Sequence, residues 1–342
     1  MNADSGNLLT DLLKQVSRSF YLTLRVLPAT VRPQIGLAYL LARATDTIAD
    51  TEIVPVEQRL EALLALRARI LGDTSHQLDL GDLGRHQSDA AERTLLVRLD
   101  EALRLLDAAE AWDRDRIREV LDIITSGQEL DLKRFGHATE SAQPIALPDA
   151  AALDDYTYRV AGCVGEFWTR LCRRHVFPKA RLDDDALLRD GVRFGKGLQL
   201  VNILRDLPRD LRQGRCYLPG NGLAPIGLRP RDLLDPRNEP KLRPLYDTWL
   251  DTAQAHLAAG WDYTTALPWA SARVRLACAW PVLIGAQTLG ELRHRNILDP
   301  AQRTKVSRAG VRNILLRSIL LYPFSGAWRG QFTSASAKNR SG

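Results

Sequence analysis

No stretch of roughly 18 uninterrupted apolar residues occurs in this 342-residue chain, so the sequence offers no bilayer-spanning helix. Its opening, Met-Asn-Ala-Asp-Ser-Gly, is polar and lacks the apolar core of a secretory signal. The expectation is a cytoplasmic protein, soluble or peripheral at the membrane. Cys163, Cys172, Cys216 and Cys278 show no CxxC or other ligand spacing and are expected to be reduced and mostly buried. The six histidines form no ligand-spaced pair, which excludes an HD-type metal hydrolase. Dense basic blocks with interleaved aromatics are missing, so nucleic acid is not an expected partner. Alternating strand patterns are absent, as is any Ser/Gly or Pro-rich linker between two halves.

What is present is ample apolar material, 45% of residues, beside 26% charged. Lys plus Arg number 47 against 41 Asp plus Glu, a net charge of +6 that fits an anionic small molecule or a membrane surface. Helix-period patterning covers 7–25, 31–50, 56–72, 91–109, 114–136, 149–173, 183–207, 227–235, 240–266, 271–293 and 303–320. Proline and glycine punctuate these segments, and 212–226 is too rich in both for a helix and reads as an ordered loop. The expectation is an all-α chain with one domain over 1–330 and a disordered tail over 331–342.

Two acidic stretches stand out, Asp46-Thr-Ile-Ala-Asp50 and Asp206-Leu-Pro-Arg-Asp210. On a helix, residues four apart share a side. Tyr39, Arg43, Asp46 and Asp50 then form one polar stripe, and Gln199, Asn202, Asp206 and Asp210 form another. Both are flanked by apolar residues, including Leu40, Leu41 and Ile48 on the first and Val201, Ile203 and Leu204 on the second. A polar stripe on an apolar helix is costly unless it faces partners or a wet site. Paired carboxylates hold Mg²⁺, whose remaining positions take water and phosphate oxygens. Arg18, Arg43 and Arg205 could grip phosphate bidentately. The competing reading of each pair is a solvated helix face.

These residues resemble a known family. Ser17-Arg18-Ser19-Phe20, the stretch from Arg43 to Asp50, Tyr156 to Gly165, Gln199 to Asp210 and Gly214-Arg215-Cys216-Tyr217-Leu218-Pro219 resemble the motifs of the squalene/phytoene synthases, in order, over residues 15 to 310. The resemblance implies an all-α isoprenoid synthase fold and head-to-head joining of two prenyl diphosphates, farnesyl diphosphate for a squalene synthase. Asp46, Asp50, Asp206 and Asp210 would hold Mg²⁺, with Mn²⁺ as the alternative. Ser17, Arg18, Phe20, Arg43, Val160, Val164, Gly165, Gln199, Asn202 and Arg205 would bind substrate. Tyr156 would assist proton removal or diphosphate departure, its plainer role being a packed aromatic.

Within the family, squalene synthases need NADPH and the phytoene and dehydrosqualene synthases do not. Cys278-Ala-Trp280-Pro281 and Lys305-Val-Ser-Arg308 resemble squalene synthase segments, which favours NADPH; the alternative is a core helix followed by a solvated basic turn. Arg215, Tyr217, Lys305 and Arg308 would then serve the nucleotide. The missing GxGxxG does not argue against NADPH in this family. Pro208 is expected to kink or end its helix, which puts Asp210 in doubt, and Arg209 stands where many relatives carry an acid. The segment Val311 to Phe324 mixes apolar residues with arginines and fits either an anionic membrane surface or a last helix packed on the core. The expectation is a squalene synthase that joins two farnesyl diphosphates into presqualene diphosphate and reduces it to squalene with NADPH. The alternatives are a relative stopping at presqualene diphosphate or making dehydrosqualene or phytoene, and a non-catalytic helical scaffold.

Overall fold

The structure, a computed structural model, describes residues 8–17, 20–75, 78, 80, 83–138, 143–302 and 304–337. The chain is all-α, as the periodicity predicts. Its contacts gather into two compact units, residues 1–137 with 170–178 and residues 138–169 with 179–342. No linker composition marks the boundaries of these units.

In the first unit the main helices are α1 (Arg32–Asp50), α2 (Val56–Leu71), α3 (Ala90–Val97), α4 (Leu99–Asp107) and α5 (Ala111–Phe135). Pro33 starts α1, where its missing N–H and fixed φ are harmless. Asp89 caps α3 by accepting from the backbone N–H groups of Ala91 and Glu92 at 2.9 and 3.1 Å. α1 buries Leu37, Leu40, Leu41, Ala44 and Ile48 and packs on α2, α4 and α5. Its four stripe residues are left at the surface of that core.

The second unit holds β1 (Ile145–Leu147), α6 (Ala150–Thr157), the first part of α7 (Cys163–His175), α8 (Asp184–Arg212), β2 (Arg215–Pro219), α9 (Glu239–Ala266), α10 (Ala272–Arg293), α11 (Arg308–Leu320) and α12 (Gln331–Ala337). Its centre is the pair of long helices α8 and α9, which pack on each other. α7 meets α8 backbone to backbone: a Cβ on Gly165 would lie 1.8 Å from the Gly191 carbonyl oxygen, and one on Gly195 would lie 2.1 Å from that of Ala161. Only glycine permits that approach.

Four expectations need correction. The loop read at 212–226 contains β2, which pairs in parallel with β1; both strands are too short for alternation to show. The helix expected over 227–235 is a pair of 3₁₀ turns, Pro230–Leu234 and Pro236–Asn238, because prolines begin both. Residues 331–337, expected disordered, form α12, held where Gln254 donates to Ser336 at 2.8 Å and Phe332 stacks near Trp261. Residues 338–342 lie outside the described residues. The fourth correction, at Pro208, concerns the candidate site.

Candidate active site

The candidate residues fall into two groups, each described within its own unit. In the first, the α1 stripe is present as the spacing predicts: Tyr39, Arg43 and Asp46 are half-buried and Asp50 is exposed. Arg43 is shared between two carboxylates, one Nη donating to Asp46 and the other to Glu92 of α3. Glu92 is buried and was not singled out from sequence, because nothing local marks it; only the packing of α3 on α1 brings it to the stripe. Burial, then the Asp50 carboxylate, push the Asp46 carboxyl up to about 7 against the pull of Arg43, and Glu92 adds to the rise. Asp46 still exposes 42% of its side chain, so it belongs to a wet polar stripe and not to the closed core.

Phe20 stacks on Tyr39 with ring centroids 4.9 Å apart, at the N-terminal end of the same stripe. Ser17 is buried, and its hydroxyl has no hydrogen-bond partner among the described residues. Arg18 lies outside the described residues.

In the second unit, α8 carries Gln199 and Asp210 half-buried, Asn202 exposed, and Arg205 clasping Asp206 through bonds of 2.9 and 2.6 Å. The helix does not end at Pro208. It runs on to Arg212, so Asp206 and Asp210 share one helix face. Proline at 208 removes the N–H that would bond to the Leu204 carbonyl. The hydroxyl of Tyr246, on α9 and fully buried, donates to that carbonyl at 2.9 Å instead. Burial holds the Tyr246 phenol well above its usual range, so it stays a donor. The Pro208 carbonyl accepts from Arg212. The Leu204 carbonyl thus keeps a donor that its own helix cannot supply.

Tyr156 of α6 is buried and stacks on Tyr217 of β2, centroids 4.9 Å apart and hydroxyls 3.5 Å apart. Tyr217, read from sequence as a nucleotide contact, is therefore tied to Tyr156. Arg215 is half-buried two residues before it. Val160 is half-buried and Val164 exposed, while Gly165 is taken up by the α7–α8 backbone contact. Lys305 and Arg308 are exposed at the start of α11. Cys278 and Trp280, which favoured NADPH, are core residues: the Trp280 indole donates to Ser318 at 2.8 Å, and burial pushes the Cys278 thiol up to about 12.

The donor set suits a hard cation, since it consists of carboxylates with no thiolate or imidazole. Among the described residues no group of three or more His, Cys, Asp or Glu gathers closely enough to hold a metal alone.

The family model for squalene/phytoene synthases matches residues 13–310. The chain belongs to the squalene/phytoene synthase family. Members of this family are head-to-head prenyl transferases, and the chain is accordingly a prenyl transferase. It is 32% identical to the presqualene diphosphate synthase of Zymomonas mobilis over 71% of this chain and 70% of that one. It is 31% identical to the bifunctional lycopene cyclase/phytoene synthase of Blakeslea trispora over 61% of this chain, which spans 32% of that longer protein. The solved structure of TcSQS with the ligand E5700 superposes with a TM-score of 0.74 at 21% identity, covering 99% of this chain and all of the other, and so shares the fold. The described residues include no helix long and apolar enough to cross a membrane.

Proposed function

We propose that the chain joins two farnesyl diphosphates head to head into presqualene diphosphate, in a reaction that depends on Mg²⁺ (or Mn²⁺). The observation that carries this reading is the pair of helix stripes, each with two aspartates and an arginine beside a buried apolar face. Burial and the neighbouring Asp50 and Glu92 carboxylates disfavour the ionised form of Asp46, and a divalent ion bound there would relieve that repulsion. Bound by these aspartates, the metal would neutralise charge on the departing diphosphate.

In the proposed reaction the allylic C–O bond of one substrate breaks and inorganic diphosphate leaves. The allylic carbon bonds to the double bond of the second substrate, and loss of a proton closes the cyclopropane. Arg43 and Arg205 hold the aspartates of the two stripes in place and offer guanidinium groups to phosphate. Tyr156, which stacks on Tyr217, would take or relay the proton.

A second reading continues to squalene by hydride transfer from NADPH. The exposed cations Lys305 and Arg308 favour it as contacts for a dinucleotide's phosphates, whereas Cys278 and Trp280 add nothing, being committed to packing. The test incubates purified protein with farnesyl diphosphate, with and without Mg²⁺ and NADPH, and analyses the lipids. Presqualene diphosphate formed only with Mg²⁺ supports the first reading, and squalene formed only with NADPH supports the second. No head-to-head product under any condition overturns both.

A further inference from the structure

The C-terminal segment has a charge pattern unlike the rest of the chain. Residues 300–342 hold eight Lys and Arg and no Asp or Glu, while the remaining residues sum to −2. Within this segment α11 has two faces. The inward face is fixed: Ser318 accepts from the Trp280 indole at 2.8 Å, and its carbonyl accepts from the Trp328 indole at 3.0 Å. The outward face carries Leu316, Ile319 and Leu320, exposed by 53, 48 and 70%, followed by Phe324 at 64%. No other nine-residue stretch of the described residues exposes more than two large apolar side chains.

Arg312 stands one turn before Leu316 on the same face, and Arg317 flanks it. Both are exposed, and no described carboxylate pairs with either. The exposure is not looseness. Tyr322 stacks on Trp269 at 4.4 Å, and the buried Arg275 guanidinium lies 4.8 Å from the Trp269 ring and 4.6 Å from that of Trp328. This cation–π cluster pins the turn after α11, and Trp269, itself exposed, packs on Tyr322 of that turn.

We infer that the outward face of α11, with Phe324 and Trp269, docks on an anionic phospholipid surface. Leucine, isoleucine and phenylalanine enter the headgroup–acyl boundary, the indole sits at its edge, and the arginines meet lipid phosphates. An acidic protein partner would match the charge but would not account for bulky aliphatic residues projecting singly from a rigid helix. The inference does not rest on the reaction proposed above.

The test is co-sedimentation of the full chain with vesicles of phosphatidylglycerol and phosphatidylcholine, against pure phosphatidylcholine, with light scattering in parallel. Wild type binds the anionic vesicles, and the binding weakens as salt is raised. Arg312→Gln/Arg317→Gln binds about thirtyfold more weakly, roughly the worth of two basic contacts, and Leu320→Ser/Phe324→Ser binds at least about tenfold more weakly through the lost apolar insertion. Both variants keep the wild-type helical spectrum. Three results overturn the inference: no binding to anionic vesicles, binding by both variants equal to wild type, or a wild-type dimer that Leu320→Ser/Phe324→Ser dissolves, which would assign the face to a second copy of this chain.

Discussion

The two acidic helices hold the same residue types in different ways. On α1, Arg43 is divided between Asp46 and a carboxylate from another helix, Glu92. On α8, Arg205 is spent on its sequence neighbour Asp206. α1 is an uninterrupted helix after Pro33, whereas α8 passes through Pro208, where the Tyr246 hydroxyl pairs the Leu204 carbonyl that proline leaves without its donor. The first stripe is thus stabilised by tertiary charge pairing and the second by tertiary repair of the backbone. The same spacing of aspartates does not imply the same means of support.

The largest expected effect treats the two helices as equals. Asp46→Asn and Asp206→Asn should each lower turnover by about a thousandfold, the scale of losing a group that stabilises transition-state charge, with an unchanged helical spectrum. Activity within a few-fold of wild type in either variant would remove that helix from the metal site. Next comes backbone packing. Gly165→Ala should cost about 3 kcal/mol, since its Cβ meets the Gly191 carbonyl and backbone must move. Gly36→Ala on α1 should cost less than about 1 kcal/mol, because its Cβ meets only the end of Leu13 at 3.1 Å. Denaturant unfolding of both variants checks the contrast.

Tyr246→Phe should cost about 2 kcal/mol by leaving the Leu204 carbonyl buried and unpaired, and it should lower activity as the Asp206–Asp210 turn loosens. Unchanged stability would mean that the helix needs no outside donor. The smallest effect is a pH dependence. The folded protein holds the Asp46 proton up to about 7, while the unfolded chain releases it in the ordinary carboxylate range. The folded state therefore binds more protons between those limits, and stability falls as pH rises through them and is level above. Melting temperatures of the metal-free protein from acid to mildly basic pH should show this slope, and Asp46→Asn should flatten it. A slope unchanged in Asp46→Asn would assign it to another group.

Much of the site was legible in the sequence because helix spacing is a local property. Arg43, Asp46 and Asp50 fall on one face wherever their helix packs, and so do Gln199, Asn202 and Asp206. Glu92 was not legible, since it lies 49 residues from Arg43 and its own segment reads as an ordinary capped helix. Pro208 was misjudged for a related reason: the rule that proline ends a helix is local, and the donor that overrides it comes from α9. The parallel pair of β1 and β2 and the docking of α12 also depend on partners far along the chain.

By itself, then, the sequence determined the helical class, the family and the two acidic stripes, because side-chain period and residue type suffice for each. Tertiary structure alone decided which carboxylate shares Arg43, that α8 survives its proline, and which face of α11 is left outside. Those outcomes follow from the burial of unpaired polar and apolar groups, whose cost is set by neighbours that no local pattern can name.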